Sequence, residues 1–355
     1  MAHGSGYFAT SYEADLRLVD TPLRWAALGA LMIALLGLPR VASPFVLELV
    51  TQTALAAVGA LALHLLTGLA GQISLGHAGF IAAGAFTTAA LVETGWGSPL
   101  ATIPAAALVG AGLGVAVGIP ALRLKGLYLA LGTLAMHHVV LYAAGELQNR
   151  WGSNTGYSIP PPRLLGWTLK GAVPWYYTLV LIATAVLLMS VNLERSRAGR
   201  AWMAIRDREI AAESVGIDVA RYKLLAFVSS SVVTAVAGAL FAYYRGFVSV
   251  EAFSFFLAVE YIAMVIIGGL GSALGAVVGA AFVTLLPYAI DGVVGRLQLH
   301  GGTEYYLFPA KFGAFGLLMA AFLVFEPEGL VGIWRRVLNW FALWPFRHRP
   351  LRSTS

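Results

Sequence analysis

The chain has 355 residues, 59% hydrophobic and only 11% charged, with a net charge of +6 and no cysteine. Soluble domains carry about 25% charged residues, so this composition, with a mean hydropathy of +0.79, excludes a soluble enzyme and describes a surface that meets lipid. The missing cysteines exclude disulfides and thiolate metal sites, and the excess of Lys and Arg fits the cytoplasmic bias of a membrane protein better than a nucleic-acid binder.

Residues 1–23 carry Glu13, Asp15 and Asp20 ahead of the first apolar run. A secretory signal has only positive charge there and a small-residue cleavage site after the run. This run ends instead on Pro39-Arg40 and reads as a first span over 24–39. A bilayer core of about 30 Å takes roughly 20 helical residues. On that measure further spans fall near 45–66, 72–92, 99–121, 126–146, 173–193, 223–244, 255–268, 271–290 and 306–325. The expected fold is all-α, one transmembrane helical bundle over 1–355 with about ten spans. The first, third, eighth and ninth are short or Gly-rich, which suits broken or re-entrant helices.

Two long loops interrupt the spans. The loop 147–172 is Pro/Gly-rich, with Pro160-Pro161-Pro162, whereas 194–222 is charged and reads as helical. The tail 327–355 carries Trp334, Trp340, Trp344 and several arginines and reads as an interfacial amphipathic segment. With the N-terminus inside, Arg123, Lys125, the arginines of 194–222, Lys223 and the basic tail share the cytoplasmic side. Arg40, Arg150, Arg163, Lys170, Arg245 and Arg296 remain outside, and ten spans put both termini in the cytoplasm.

Chemistry-bearing motifs are sparse. The chain has no Gly-Lys dipeptide, so it lacks a phosphate-binding loop of its own. His137-His138 is a tandem pair, without the i, i+4 spacing that puts two metal ligands on one helix face. Ionisable and polar groups inside spans are costly and are functional candidates by default. Gln72, Ser74 and His77 lie in the Gly-rich third span, where an opened backbone can present amides to a substrate carboxylate; close packing through small residues is the plainer reading. His137 and His138 fall in mid-span. Glu260 lies in the eighth span, as a functional acid or as the partner of Lys311. Gly71-Gln-Ile-Ser74-Leu75-Gly76 is weakly echoed by Gly271-Ser272-Ala-Leu274-Gly275, both opening spans from the inner side.

In 194–222, Ala201, Trp202, Ile205, Ala212 and Val215 form an apolar stripe, and Gly216 stands as a helix stop. An amphipathic helix in water must bury such a stripe, against the membrane surface, the chain's own spans or a cytoplasmic partner.

A resemblance becomes specific here. SRAGRAWMAIRDREIAAESVGIDVARYKLLAFVSSSVVTAVAGALFAYYRGFVS (196–249) closely resembles the permeases of branched-chain amino acid ABC importers, of the LivM type. GLAGQISLGHAGFIAAGAF (68–86), LRLKGLYLALGTLA (122–135), VIIGGLGSALGAVVGA (265–280) and FEPEGLVGIWRR (325–336) agree with it. The likeness covers most of 45–336. It implies a single permease domain in a bacterial inner membrane, paired with a second homologous permease subunit. Two ABC ATPase subunits and an extracytoplasmic solute-binding protein complete the implied assembly. It implies no cofactor, no metal and no covalent chemistry, and an amino-acid substrate: leucine, isoleucine and valine, or alternatively urea, a short amide or another small solute.

The resemblance makes 194–222 the ATPase-coupling loop in a divergent form, since Ile210-Ala211-Ala212 occupies the E-A-A position and Glu209 stands one residue early. The implied coupling residues are Arg197, Arg200, Trp202, Ile205, Arg206, Glu209, Ala211, Ala212 and Gly216. Trp202, Ile205, Ala212 and Val215 are expected to form the docking ridge, with Arg200, Arg206 and Glu209 fixing its register. The expected substrate path takes Gln72, Ser74, His77, His138 and Glu260. The family commonly has a Glu–Arg arrangement where this chain has His138 and Leu141. On the residues alone, a proton-coupled secondary transporter using Glu260 and the histidines is the competing reading.

Overall fold

The computed structural model describes residues 22–124, 126–152, 155–164, 167–296, 313, 316–317, 320–322, 324–326 and 329–343. Helix α1 is Pro22–Val41 and α2 is Pro44–Leu63, which continues as a π-helical turn, His64–Leu69. Then come α3 (His77–Glu93), α4 (Pro99–Ala121), α5 (Leu127–Trp151), α6 (Ala172–Arg195), α7 (Arg197–Asp207) and α8 (Glu209–Ser214). After them follow α9 (Val219–Arg245), α10 (Phe255–Gly268), α11 (Ala273–Arg296) and α12 (Gly329–Leu343). Helices occupy the first nine expected span positions; the tenth, 306–325, lies largely outside the described residues. Among the described residues six segments are long and apolar enough to cross a membrane: α2 with its π turn, α4, α5, α6, α9 and Ala273–Gly292 of α11. α3 and α10 are shorter because glycines in left-handed conformation break the chain beside them, Gly71 (φ +67°) before α3 and Gly269 and Gly271 (φ +119° and +94°) after α10.

The helix boundaries follow from local chemistry. Ser43 Oγ accepts from Val46 N (3.4 Å) ahead of Pro44 in α2's first turn. Ser196 Oγ accepts from Gly199 N (3.2 Å) to start α7, and Asp218 from Arg221 N (3.0 Å) to start α9. α9 stops at Gly246, which is left-handed (φ +67°).

The turns collect at two ends of the bundle. At one end, Trp202 Nε1 of α7 donates to Tyr222 O of α9 (2.8 Å), and Gln72 Nε2 approaches Lys223 O (3.5 Å). At the other, Tyr243 Oη donates to Gly97 O (2.9 Å), and Gln148 Oε1 accepts from Val250 N (3.1 Å). There β1 (Tyr157–Ser158) pairs antiparallel with β4 (Phe247–Val248), while β2 (Arg163–Leu164) pairs with β3 (Trp167–Thr168).

Inside lipid, apolar burial does not drive helices together; close approach through small residues does. α3 and α9 meet in this way. A Cβ on Gly84 would fall on the carbonyl of Ala235, and one on Gly238 would fall on that of Ile81. α10 and α11 repeat the device, with Gly268 against the Gly275 carbonyl and Gly279 against that of Met264.

The expected third span, 72–92, is only partly helical. Residues 71–76 run without helix, Leu75 N donates to Thr133 Oγ1 (2.9 Å), and a Cβ on Gly76 would stand 2.5 Å from the Thr133 carbonyl oxygen. Thr133 lies six residues into α5, so α3 begins roughly 9 Å inside that end of the bundle.

Candidate functional site

α7 and α8 form a short bent arm across one end of the bundle. The arm's apolar stripe is spent on the chain itself. Trp202 is 1% exposed and packs with Leu66, Leu69, Ala226 and Phe227, while Ala201, Ile205 and Ala212 are also buried. The expected docking ridge is therefore corrected: Trp202, Ile205 and Ala212 are covered by the chain's own helices and cannot present a surface to another protein. Burying a large aromatic stabilises by a few kcal/mol (about 25 cal/mol per Å²), so intramolecular seating wins wherever neighbouring helices supply a slot. The apolar groups left outside are Ile210 and Val215, 80% and 77% exposed, with Ala211 exposed between them.

The arm's charges divide in the same way. Arg197 and Arg200 are exposed, and Arg200 Nη1 donates to Arg195 O (2.6 Å). Lys223 Nζ pairs with Glu209 Oε1 at 2.9 Å, tying α8 to the start of α9. Arg206 reaches the bundle, where its Nη1 donates to Gly68 O (2.6 Å). At the arm's root, His64 Nε2 meets Glu194 Oε1 at 2.9 Å, with His64 wholly buried in the π turn. None of these links to the bundle is readable from the sequence around 194–222.

Gly216 ends α8 as expected, in left-handed conformation (φ +85°). Its N donates to Glu213 O (2.9 Å) and Ile217 N to Ala212 O (3.1 Å), the paired bonds of a Schellman stop. Beside it an open depression of about 520 Å³ is bordered by Leu122, Glu213, Asp218 and Lys223.

The path candidates separate into two places. Gln72, Ser74 and His77 are all buried around the α3 break. Ser74 Oγ accepts from Gly76 N (3.3 Å). His77, the first residue of α3, lies 3.5 Å from Thr234 Oγ1 and edge-on to Tyr261 of α10, with ring centres 4.9 Å apart. His137 of α5 joins them under Gly79 and is 1% exposed, with neither ring nitrogen hydrogen-bonded among the described residues. Glu260 is half-buried on α10, one residue before Tyr261 and so about 100° from it around the helix. Its expected partner Lys311 lies outside the described residues.

His138 stands apart from this group. It touches the His137 ring edge-on (5.1 Å) but faces out of the chain. Tyr142, 78% exposed, and Glu146, paired with Arg150 at 2.8 Å, continue the same face at helical spacing. α5 also exposes Leu131 and Val139 beside this stripe, whereas the exposed large residues of α4 and α6 are apolar, with Leu108, Val115 and Ile119 on one and Leu181, Leu188 and Met189 on the other.

Residues 45–323 match the family described as branched-chain amino acid transport system / permease component. The chain is 32% identical over 335 residues to the high-affinity branched-chain amino acid transport system permease protein LivM of Salmonella typhimurium, covering 87% of this chain and 75% of that protein. It is 31% identical to the protein of the same name from Escherichia coli, with the same coverage. The autoinducer 2 import system permease protein LsrC of an Enterobacter species is 30% identical over 195 residues, 53% of each chain. No solved structure matches.

Proposed function

The chain belongs to the family of branched-chain amino acid transport system permease components, and from that premise we propose that it is the membrane subunit of an ATP-driven importer moving leucine, isoleucine and valine inward. The observation that carries the proposal is the α7–α8 arm. It is seated on the bundle through Trp202 and the Lys223–Glu209 pair, yet it leaves Ile210, Val215 and several arginines outside. An arm with one fixed face and one free face suits the transfer of force from an ATPase subunit. The chain has no phosphate loop, so the ATPase is a separate protein.

The end that bears the arm also holds Arg123, Arg195, Arg197, Arg200, Arg208 and Arg221. That density of positive charge supports the reading that this end faces the cytoplasm, and the same reading puts both termini and the tail helix α12 there. Ten membrane segments fit this arrangement, with α3 and α10 short. Single cysteines can be placed in this cysteine-free chain. A cysteine replacing Ser196 is expected to resist an impermeant thiol reagent added to intact cells and to react in inverted vesicles. Labelling from the outside would reverse the topology.

The outward polar stripe of α5 is read as one wall of the path, facing the second permease subunit. In lipid a mid-span His138 would be costly, whereas beside a wet lumen it is not. Gln72, Ser74 and His77 are packed within the bundle and hold the α3 break in this conformation. The test is uptake of labelled leucine by cells carrying the assembled importer. Isoleucine and valine are expected to compete and urea is not. His138→Leu is expected to lower uptake about tenfold, the effect of roughly 1.4 kcal/mol, with normal subunit assembly, and His138→Gln to lower it less. Competition by urea alone would favour the short-amide reading. Unchanged uptake in His138→Leu would place that face against lipid.

A further inference from the structure

Arg206 is the penultimate residue of α7, and its side chain reaches from the arm to the end of the bundle. Nη1 donates to the carbonyl of Gly68, 2.6 Å away in the last turn of the π-helical extension of α2. The aliphatic stem lies along the turn that follows. A Cβ on Gly71 would stand 2.7 Å from Cγ of Arg206 and 3.2 Å from its Cβ. The same guanidinium borders a second turn, because a Cβ on Gly271 would stand 3.0 Å from Nη1. One side chain therefore touches the break before α3 and the break before α11. These are the two segments that echo each other in sequence.

The chemistry suits a cation at that point. Both turns follow helix C-termini, where unpaired carbonyls leave a partial negative charge that a guanidinium offsets. Gly71 and Gly271 are left-handed (φ +67° and +94°) and have no side chain to separate the turns from the arginine. Nη1 lies at both turns, and the planar guanidinium holds it there at less conformational cost than the flexible stem of a lysine would. Towards solvent its one charged neighbour among the described contacts is Asp207, at 3.4 Å, and the side chain is 36% exposed. Arg206 is partly exposed like Arg197 and Arg200, but it alone of the three donates to a carbonyl of the helix bundle among the described contacts.

We propose that Arg206 is a strut that carries displacement of the α7–α8 arm to both breaks together, so that the inner ends of α3 and α11 move with the arm. It is a positioning residue and touches no substrate. The inference rests on the reading of 194–222 as the coupling loop. Movement of the two turns reaches mid-bundle through α3 and α10, where His77 of α3 and Tyr261 of α10 pack edge-on.

The test uses the assembled importer in proteoliposomes with its binding protein, and reads three quantities: ATPase co-purification, hydrolysis stimulated by leucine-loaded binding protein, and leucine uptake. For Arg206→Ala, ATPase co-purification and basal hydrolysis are expected to match wild type, while stimulation is lost and uptake falls at least about tenfold, within the range of coupling changes that such residues produce. Arg206→Lys is expected to fall between the two. Gly271→Ala crowds Nη1 from the other side and is expected to uncouple in the same way, and the double variant is expected to be no worse than either single one. Full stimulation and uptake in Arg206→Ala would overturn the strut. So would loss of ATPase co-purification in step with uptake, which would make Arg206 a docking contact. Failure of the wild-type chain to retain any ATPase would instead overturn the coupling-loop reading beneath it.

Discussion

Valine in place of Gly84 or Gly238 is expected to remove the folded chain from the membrane almost completely. The two glycines face each other's helices at the crossing of α3 and α9. A Cβ at either position lands on a backbone carbonyl, of Ala235 for Gly84 and of Ile81 for Gly238. A side chain can rotate away from such an overlap, whereas a helix backbone cannot. The helices must separate along their length, and every contact between them weakens at once. Ordinary overpacking costs about 1–3 kcal/mol; forcing two backbones apart exceeds that, against a total stability on the order of 5–15 kcal/mol. α9 also packs closely on α4, where a Cβ on Gly110 would stand 2.6 Å from the carbonyl of Ser231, so its displacement spreads. Gly112, on the same helix as Gly110, faces open space and supplies the control. Size-exclusion chromatography of detergent extracts is expected to show at least about tenfold less monodisperse protein for Gly84→Val and Gly238→Val, a conservative reading of that penalty, and near-normal amounts for Gly112→Val. Equal recovery of all three would contradict the close crossing.

The second large effect belongs to the free face of the arm. Ile210→Asp and Gly216→Asp are expected to weaken ATPase association more than a hundredfold while leaving the bundle intact. Ile210 is 80% exposed, so a carboxylate there costs the isolated chain little. Once docked, the same carboxylate loses water without gaining a partner. That penalty is on the order of several kcal/mol, and about 1.4 kcal/mol is a factor of ten in affinity. Gly216 adds backbone strain, because a side chain in the left-handed region costs roughly 1–2 kcal/mol and the Schellman stop then loosens. Ala212→Asp is a different experiment. Ala212 is 3% exposed within the chain, so its carboxylate would unseat α8 before any partner arrived. Co-purification of the ATPase with each variant, beside leucine uptake, measures the effect. If Ile210→Asp and Gly216→Asp both keep wild-type ATPase binding and full uptake, the arm is not the coupling element.

The helical membrane bundle was legible, and six of the expected spans are matched by long apolar helices, because lipid imposes a length of about 20 apolar residues that no soluble core requires. The Gly216 stop was legible for a local reason, since a left-handed position selects glycine. Burial of Trp202 was not. Helical periodicity reveals a stripe but not what covers it, and the cover comes from Leu66 and Phe227 on two distant helices. The His64–Glu194 contact joins residues 130 positions apart, with no pattern around either to announce it. His137 and His138 show the same limit at close range. Adjacent helical residues point about 100° apart, so one can be buried and the other exposed. Which one turns inward is settled by where α3 docks, with Gly79 against the backbone of His137. The Gly-rich third span was readable as breakable; how far 71–76 re-enters the bundle depends on the Leu75–Thr133 hydrogen bond.

Reconstitution decides most directly between ATP-driven import and a self-sufficient carrier. Liposomes are prepared with this chain alone under an imposed proton gradient, and with the partner permease, the ATPases, the loaded binding protein and ATP. Leucine uptake is predicted only for the complete assembly, and only while ATP is hydrolysed. Robust uptake by the chain alone, driven by the gradient, would contradict the ABC-importer function and favour a proton-coupled transporter built on Glu260 and the histidines.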